Sequence, residues 1–502
     1  MSPAPFPPAR VPPPRPTRLT VALAVLLPLA LLLVLAAPLG VVWLRGRSGD
    51  GAAAAPGQGR PGVGDPYFPT YGSSGYDALT YTVSLSWDPA GQRLSGSTRI
   101  TARATEALDS FYVDLALGTE QVTVDGVPAS FQKRGFQDVR VTPAQPIAAG
   151  ARFETVVTYS GAPGRLKGRT GSPWHATGPE WTVAREPESS AWWFPANDHP
   201  SDPALMDVSV RVPDGVEVIS AGALASPDTG DEADFDTWRW VSAEPMATYL
   251  SFLSIGQYVL DQGVADGRPY VYAVSQQLSE ENQRRALTAL RRSPAIVRTL
   301  ESMFGPYPFS ELGGVVPMHK LPYAGLETQT RPVYDARSLL DERGTDTLLS
   351  HELAHMWFGD NVTVRQWDDI FTNEAWATWG SWGYAERTGG PSAAESFAAS
   401  YERLKDRPDF WRITMIDPSP QHLFDAVYQR GPMTLQALRT VVGDETFFSM
   451  ARDWGQERGS RSLEEWMTQV QSQTQVDLGP FFQAWIYGTT APAPTPENGF
   501  RG

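Results

Sequence analysis

The chain contains no cysteine. That excludes disulfides, thiolate metal sites and cysteine nucleophiles together. It leaves the compartment open, because a large domain needs no disulfide to be stable outside the cell. Histidine is also scarce, with six among 502 residues. Positive charge is in deficit: 41 Lys and Arg stand against 56 Asp and Glu, for a formal net charge of -15. No cation excess is present to neutralise phosphates, so no nucleic-acid partner is expected. No internal repeat is found. What is present is 41% hydrophobic and 11% aromatic content, enough for the cores of two or three folded domains.

The front end is unlike the rest. Residues 1–18 are rich in Pro and Arg and are expected to be a disordered tail. From Leu19 to Leu44 no residue is charged, a run of about 26 residues that is long enough to cross a bilayer. A cleaved signal peptide has a shorter apolar core, so residues 19–44 are read as one transmembrane signal-anchor. Arg10, Arg15 and Arg18 precede the span, and Arg45 and Arg47 follow it, a weak positive-inside bias. The expectation is a single-pass protein of the cell membrane with its large domain outside the cytoplasm. Residues 45–66 are Gly-, Ala- and Pro-rich and read as a flexible linker.

Residues 67–262 alternate apolar and polar positions in short runs, among them 79–87, 97–105, 111–117, 153–160 and 206–213, with turn signals such as Asp125-Gly126 between them. This pattern predicts an antiparallel β domain. One further strand is expected near 267–274. Then a helix opens at Ser279, Glu280 and Glu281, with Ala286, Leu287, Leu290, Ile296, Leu300 and Met303 at helical spacing. Apart from an extended stretch at 313–334, residues 263–490 read as a mainly α-helical domain, and 491–502 as a disordered tail.

The chemistry gathers in that second domain. His351-Glu352-Leu353-Ala354-His355 places two imidazoles four residues apart, on one face of a helix. Two such imidazoles bind one Zn²⁺, and Glu352 is placed to work on the metal's water. Thr347, Leu348, Leu349, Met356, Trp357 and Phe358 supply apolar positions around this helix, and Gly359 is a candidate end. A catalytic zinc takes a third protein ligand. Glu374, in the first turn of a helix over 372–389, is the best candidate, since an unpaired buried carboxylate is costly; the bland alternative is a carboxylate at a helix N-terminus.

HELAHMWFGDNVTVRQWDDIFTNEAWATW resembles the aminopeptidase N-like family of zinc metallopeptidases, the gluzincins with a thermolysin-like catalytic domain. That family reads His-Glu-x-x-His, eighteen residues, then Glu within Asn-Glu-Gly-Phe-Ala. His355 and Glu374 have this spacing, and Asn373-Glu374-Ala375-Trp376-Ala377 stands for the second motif. The resemblance implies one Zn²⁺ per chain, held by His351, His355 and Glu374, with Glu352 as general base. Asp368 or Asp369 is a candidate for orienting a ligand, or a surface carboxylate.

Three further segments carry the resemblance. Ala324-Gly325-Leu326-Glu327-Thr328 matches the family's Gly-Ala-Met-Glu-Asn, whose Glu binds the substrate's free α-amino group; Thr328 replaces the Asn. Alone, this stretch is a surface turn or an edge for strand addition. In 184–202, Glu186 is the position equivalent to a second amine-binding residue, and His199 reads as a polar loop residue. Tyr428, followed by Arg430 and Gly431, matches the family's Tyr-x-Lys-Gly, whose Tyr stabilises the oxyanion; alone it reads as packing. The resemblance spans roughly 67–490, and it is expected to be a short form without the family's helical C-terminal domain. It implies an aminopeptidase acting on peptides with a free N-terminus. The alternatives are a zinc endopeptidase of the same fold and a non-catalytic peptide-binding protein.

Overall fold

The computed structural model describes residues 57–501 except 169–170 and 229–233, and omits the side chains of 226–228. The expected tail at 1–18, the span at 19–44 and most of the linker lie outside the described residues. Among the described residues no helix is long and apolar enough to cross a membrane.

Alternation drives the first part of the chain into sheets. Along Tyr76–Asp88, Tyr81, Val83, Leu85 and Trp87 are buried while Ser84 faces solvent, as a half-buried strand requires. This strand lies near the centre of an eight-stranded sheet. Asp125 and Gly126 both have positive φ and join two antiparallel strands of it, the conformation that an Asp-Gly turn favours. The sheet is not wholly antiparallel as expected: Tyr76–Asp88 pairs parallel with Leu205–Pro213. Alternation records which face is buried and carries no information on a distant partner's direction.

A four-stranded sheet follows, in the order Glu217–Ile219, Leu253–Gly256, Glu180–Val183, Trp174–Thr177. A five-stranded sheet runs Tyr258–Ala265, Arg268–Ser275, Leu312–Val316, Val333–Tyr334, Gly325–Leu326. Its outer strand Tyr258–Ala265 straddles the boundary expected at 262/263. At its other edge, Gly325–Leu326 has one neighbour, Val333–Tyr334, with which it pairs antiparallel.

The expected helix from Ser279 is two helices, Glu280–Leu290 and Ser293–Phe304. Pro294 has no N–H to continue the first, so the chain re-starts there. Thr345–Ala354 carries His351 and ends before Gly359. His355 caps it in right-handed helical geometry (φ -58°, ψ -25°), so both histidines still share a face. Gly359, at φ +134°, instead donates its N–H to the Val362 carbonyl at 2.9 Å. Phe371–Arg387 packs against Thr345–Ala354 and Val427–Val442. Phe358 stacks on Trp376 at 4.8 Å and Trp376 on Phe447 at 5.5 Å, so the aromatic face of Phe371–Arg387 forms the core under the site.

Two expectations of disorder are overturned. Residues 491–501 are packed: the Phe500 ring lies 4.6 Å from Tyr401 and 5.1 Å from Phe397, and Tyr401 donates to the Pro492 carbonyl at 2.6 Å. An aromatic side chain entering a cluster, with hydrogen bonds to the carbonyls of Pro492 and Asn498, outweighs the Pro-rich composition of its neighbours. Likewise, residues 57–66 adhere to the body. Gly59 N–H donates to the Ser110 carbonyl at 2.8 Å. Buried Asp65 accepts from the N–H groups of Tyr67 and Phe68, from that of Trp367 at 2.8 Å, and from His199 Nε2 at 3.2 Å. His199 is thus a loop residue as expected, but a buried one that ties segments together.

Candidate active site

Glu186, Ala324, Gly325, Glu327, His351, Glu352, His355, Glu374 and Tyr428 all line one cavity of about 700 Å³. These nine expected residues are thus brought to one place, whereas Asp368 and Asp369 do not line the cavity. Glu186 follows the strand Glu180–Val183 of the four-stranded sheet, and Glu327 follows the edge strand of the five-stranded sheet. The remaining donors come from the three helices named above.

His351 Nε2 and His355 Nε2 lie 3.2 Å apart, and Glu374 Oε2 is 3.4 Å and 3.3 Å from them. Donors bound to a tetrahedral zinc at 2.0–2.1 Å stand about 3.3–3.4 Å apart, so the three atoms fit this metal. Their surroundings agree. His355 Nδ1 donates to the Phe358 carbonyl at 3.0 Å, and His351 Nδ1 lies 3.4 Å from Thr378 Oγ1. Each partner directs an Nε2 lone pair at the centre. Glu374 Oε2 is buried without a hydrogen-bond donor, the orphan that a cation satisfies.

Electrostatics show the same demand. Burial would raise the Glu374 carboxyl, but His355 and His351 hold it well below the usual range. Burial would lower His355, yet Glu327 and Glu374 hold it well above its ordinary value. Burial pushes the Glu352 carboxyl well up, with Glu327 and Glu374 adding and His355 opposing. Burial also raises Glu327 and Glu186, and Glu186 is pushed further by Glu327. Glu186 Oε1 has no hydrogen-bond partner. A crowd of buried carboxylates with few cations favours positive ligands.

Gly325 explains itself here. A Cβ at this position would sit 2.3 Å from Glu352 Oε1, so only glycine lets the edge strand pass the general-base candidate. Gly431 serves the helix packing, since its Cβ would fall 2.6 Å from that of Ala375.

Other expectations are revised. Asp369 does not reach a metal donor: it accepts from Gln366 N–H at 3.0 Å and Leu463 N–H at 2.8 Å, fixing a turn and a helix start. Asp368 is half-buried on the same turn. The orienting groups are instead Phe358 O and Thr378. Thr378 stands four residues after Glu374 on one helix face, a spacing visible in the sequence. Tyr428 hydroxyl donates to Glu374 Oε1 at 2.8 Å, so it is tied to a metal ligand as well as facing the cavity. Arg430 is buried and donates to the carbonyls of Trp485, Ile413 and Gly488 at 2.9, 2.8 and 2.7 Å. It locks the C-terminal segment to the helix of Tyr428. Tyr249, which bonds both Glu327 and Asn373, carries no local sequence signal.

Comparison with known proteins agrees with this geometry. The Peptidase family M1 domain matches residues 288–485. A probable aminopeptidase 2 of Sulfurisphaera tokodaii is 24% identical over 51% of this chain and 34% of its own length. Aminopeptidase N of Acetobacter pasteurianus is 25% identical over 60% of this chain and 88% of its own. The chain spans about a third of the length of the archaeal relatives it matches. Among solved structures, the M1 zinc metallopeptidase of Deinococcus radiodurans superposes with a TM-score of 0.76 at 26% identity, over 86% of this chain and 98% of that one. A variant of the same enzyme bound to a Tyr-Ser-Ala substrate gives 0.76 over 87% and 100%. Motif, donor geometry, β layers and these likenesses converge: residues 288–485 form a Peptidase family M1 domain, the chain is similar in fold to M1 zinc metallopeptidases, and its cofactor is Zn²⁺.

Proposed function

We propose that the chain is an aminopeptidase that hydrolyses the first peptide bond of peptides with a free N-terminus. The observation that carries this reading is the single cavity shared by the metal donors and by the amine-facing carboxylates Glu186 and Glu327. Bound Zn²⁺ supplies a Lewis acid that polarises the scissile carbonyl and lowers the pKa of a water. His351, His355 and Glu374 would hold it. Glu352 takes the proton of the attacking water and passes it to the nitrogen of the leaving amine as the C–N bond breaks. Tyr428 turns its proton from Glu374 Oε1 toward the oxygen on which negative charge develops. Glu327 and Glu186 bind the terminal ammonium and so admit one residue ahead of the cut. The open edge of Gly325–Leu326 pairs with the peptide backbone by strand addition.

The test is a panel of aminoacyl-aminocoumarins beside their N-acetylated forms, with and without chelator. Cleavage of the free-amine forms alone supports an aminopeptidase; equal cleavage of both supports an endopeptidase; no cleavage by zinc-loaded protein supports a peptide-binding role. We further propose that residues 19–44 anchor the protein in the cell membrane with the catalytic domain outside the cytoplasm. The support is the uncharged length of that run. Release of the protein from membranes by salt alone would refute it.

A further inference from the structure

We propose that Tyr249 is a positioning residue of this site: its hydroxyl orients the Glu327 carboxylate relative to the metal-ligand helix, and so sets where the substrate's ammonium rests. The inference rests on the amine-anchor reading of Glu327 given above.

Tyr249 comes from the β layers, within the short turn Thr248–Leu250, and it is buried. The turn is held from several sides. Thr248 Oγ1 donates to Asp198 Oδ1 at 2.7 Å. The Leu250 carbonyl accepts from Gln329 N–H, two residues past Glu327, at 3.3 Å. The Tyr249 ring meets Trp367 edge-on at 5.2 Å, and Trp367 is itself held by Asp65.

At the end of this ring sits one hydroxyl with two partners. It donates to Glu327 Oε1 at 3.4 Å and accepts from Asn373 Nδ2 at 3.4 Å. A phenol has one proton to give and lone pairs to receive, so both bonds form at once. Asn373 immediately precedes the ligand Glu374 on the same helix. The hydroxyl therefore bridges the amine-facing carboxylate to the backbone that carries a metal donor. Tyr249 is not among the cavity-lining residues, so it acts through Glu327 and not on substrate.

Tyr249→Phe keeps the ring against Trp367 and removes only the bridge. The experiment measures competitive inhibition of hydrolysis by L-leucine and by 4-methylpentanoate, which lacks the amine, on zinc-loaded wild type, Tyr249→Phe and Glu327→Gln. For Tyr249→Phe, L-leucine and the KM of free-amine substrates weaken by about tenfold, while kcat stays near wild type, as loss of one hydrogen bond to a charged group predicts. The constant for 4-methylpentanoate and the zinc content do not change. Wild-type inhibition by L-leucine in Tyr249→Phe, with Glu327→Gln impaired, overturns the inference and spares the amine anchor. Equal weakening of both inhibitors shows a merely structural role and also overturns it. If Glu327→Gln leaves L-leucine binding intact, the anchor reading itself fails, and the inference with it. Should Tyr249→Phe fold poorly, thermal unfolding and zinc content reveal it; Asn373→Ser, which withdraws the amide from the other side of the hydroxyl, then carries the same prediction.

Discussion

Glu374 reaches the two histidines across a single helix–helix contact, whereas Glu186 and Glu327 arrive from two different sheets. The metal half of the cleft is built from residues 351–374, within one domain. The half that carries Glu186 and Glu327, proposed above to face the substrate's amine, exists only because the β layers dock on the helical part. Arg331 shows how that docking is secured: it is buried and donates to the carbonyls of Ser220, Gly222 and Val271. The first half depends on helical spacing, and the second on long-range packing. The two halves should therefore fail differently when disturbed.

The largest effect is expected from the metal half. A chelator should lower hydrolysis to background and also lower the unfolding temperature, because the bound ion stabilises the folded state. Added Zn²⁺ should restore both. Unchanged melting on chelation would mean that the three donors hold no structural ion.

Glu352→Gln comes next. Its loss of hydrolysis should be about 10²- to 10⁴-fold, the usual worth of a general base, with zinc content unchanged. Full activity in that variant would remove Glu352 from the chemistry.

In the amine-facing half the same kind of change should be milder. Glu327→Gln should reduce kcat/KM for free-amine substrates by about 10- to 100-fold, mainly through KM, while zinc binding stays intact. A drop in zinc content would show that the halves are not separable.

The smallest effect concerns the docking itself. Glu311 is buried beside Glu244 of the β layers. Burial, then Glu244, pushes its carboxyl up to about 7 from 4.5, with Arg331 opposing. The folded chain therefore binds this proton more tightly than the unfolded chain. Stability should fall as pH rises from the ordinary glutamate range to about 7. Glu311→Gln should flatten that slope, as read by thermal unfolding between about pH 5 and pH 8. Equal slopes in both proteins would separate Glu311 from the docking.

Much of the site was legible in the sequence because helices translate spacing into direction. His351 and His355 share a face at any four-residue spacing, and Glu374 opens the next helix. Gly325, Glu327, Glu186 and Tyr428 required the family resemblance, since nothing local marks them. Asp369 misled because a carboxylate near a ligand resembles one that touches it. Of its two backbone bonds, the one to Leu463 comes from far along the chain. The C-terminal residues misled because composition averages over a segment, whereas a few contacts, the Phe500 ring and the bond to the Pro492 carbonyl among them, hold it in place. The strand Tyr76–Asp88 was recognisable from its alternation, yet its parallel pairing with Leu205–Pro213 was not.

By itself the sequence determined the periodic elements, the candidate donors for the metal and the absence of any thiol alternative, because these follow from residue identity and from spacing within a few turns of chain. Only the tertiary structure decided that Glu186 and Glu327 share a cavity with that metal site, that Tyr428 is tied to Glu374, and that Tyr249 bridges Glu327 to Asn373. Those contacts join residues tens to hundreds of positions apart. No local rule encodes their distance, and the packing of the β layers on the helices sets it.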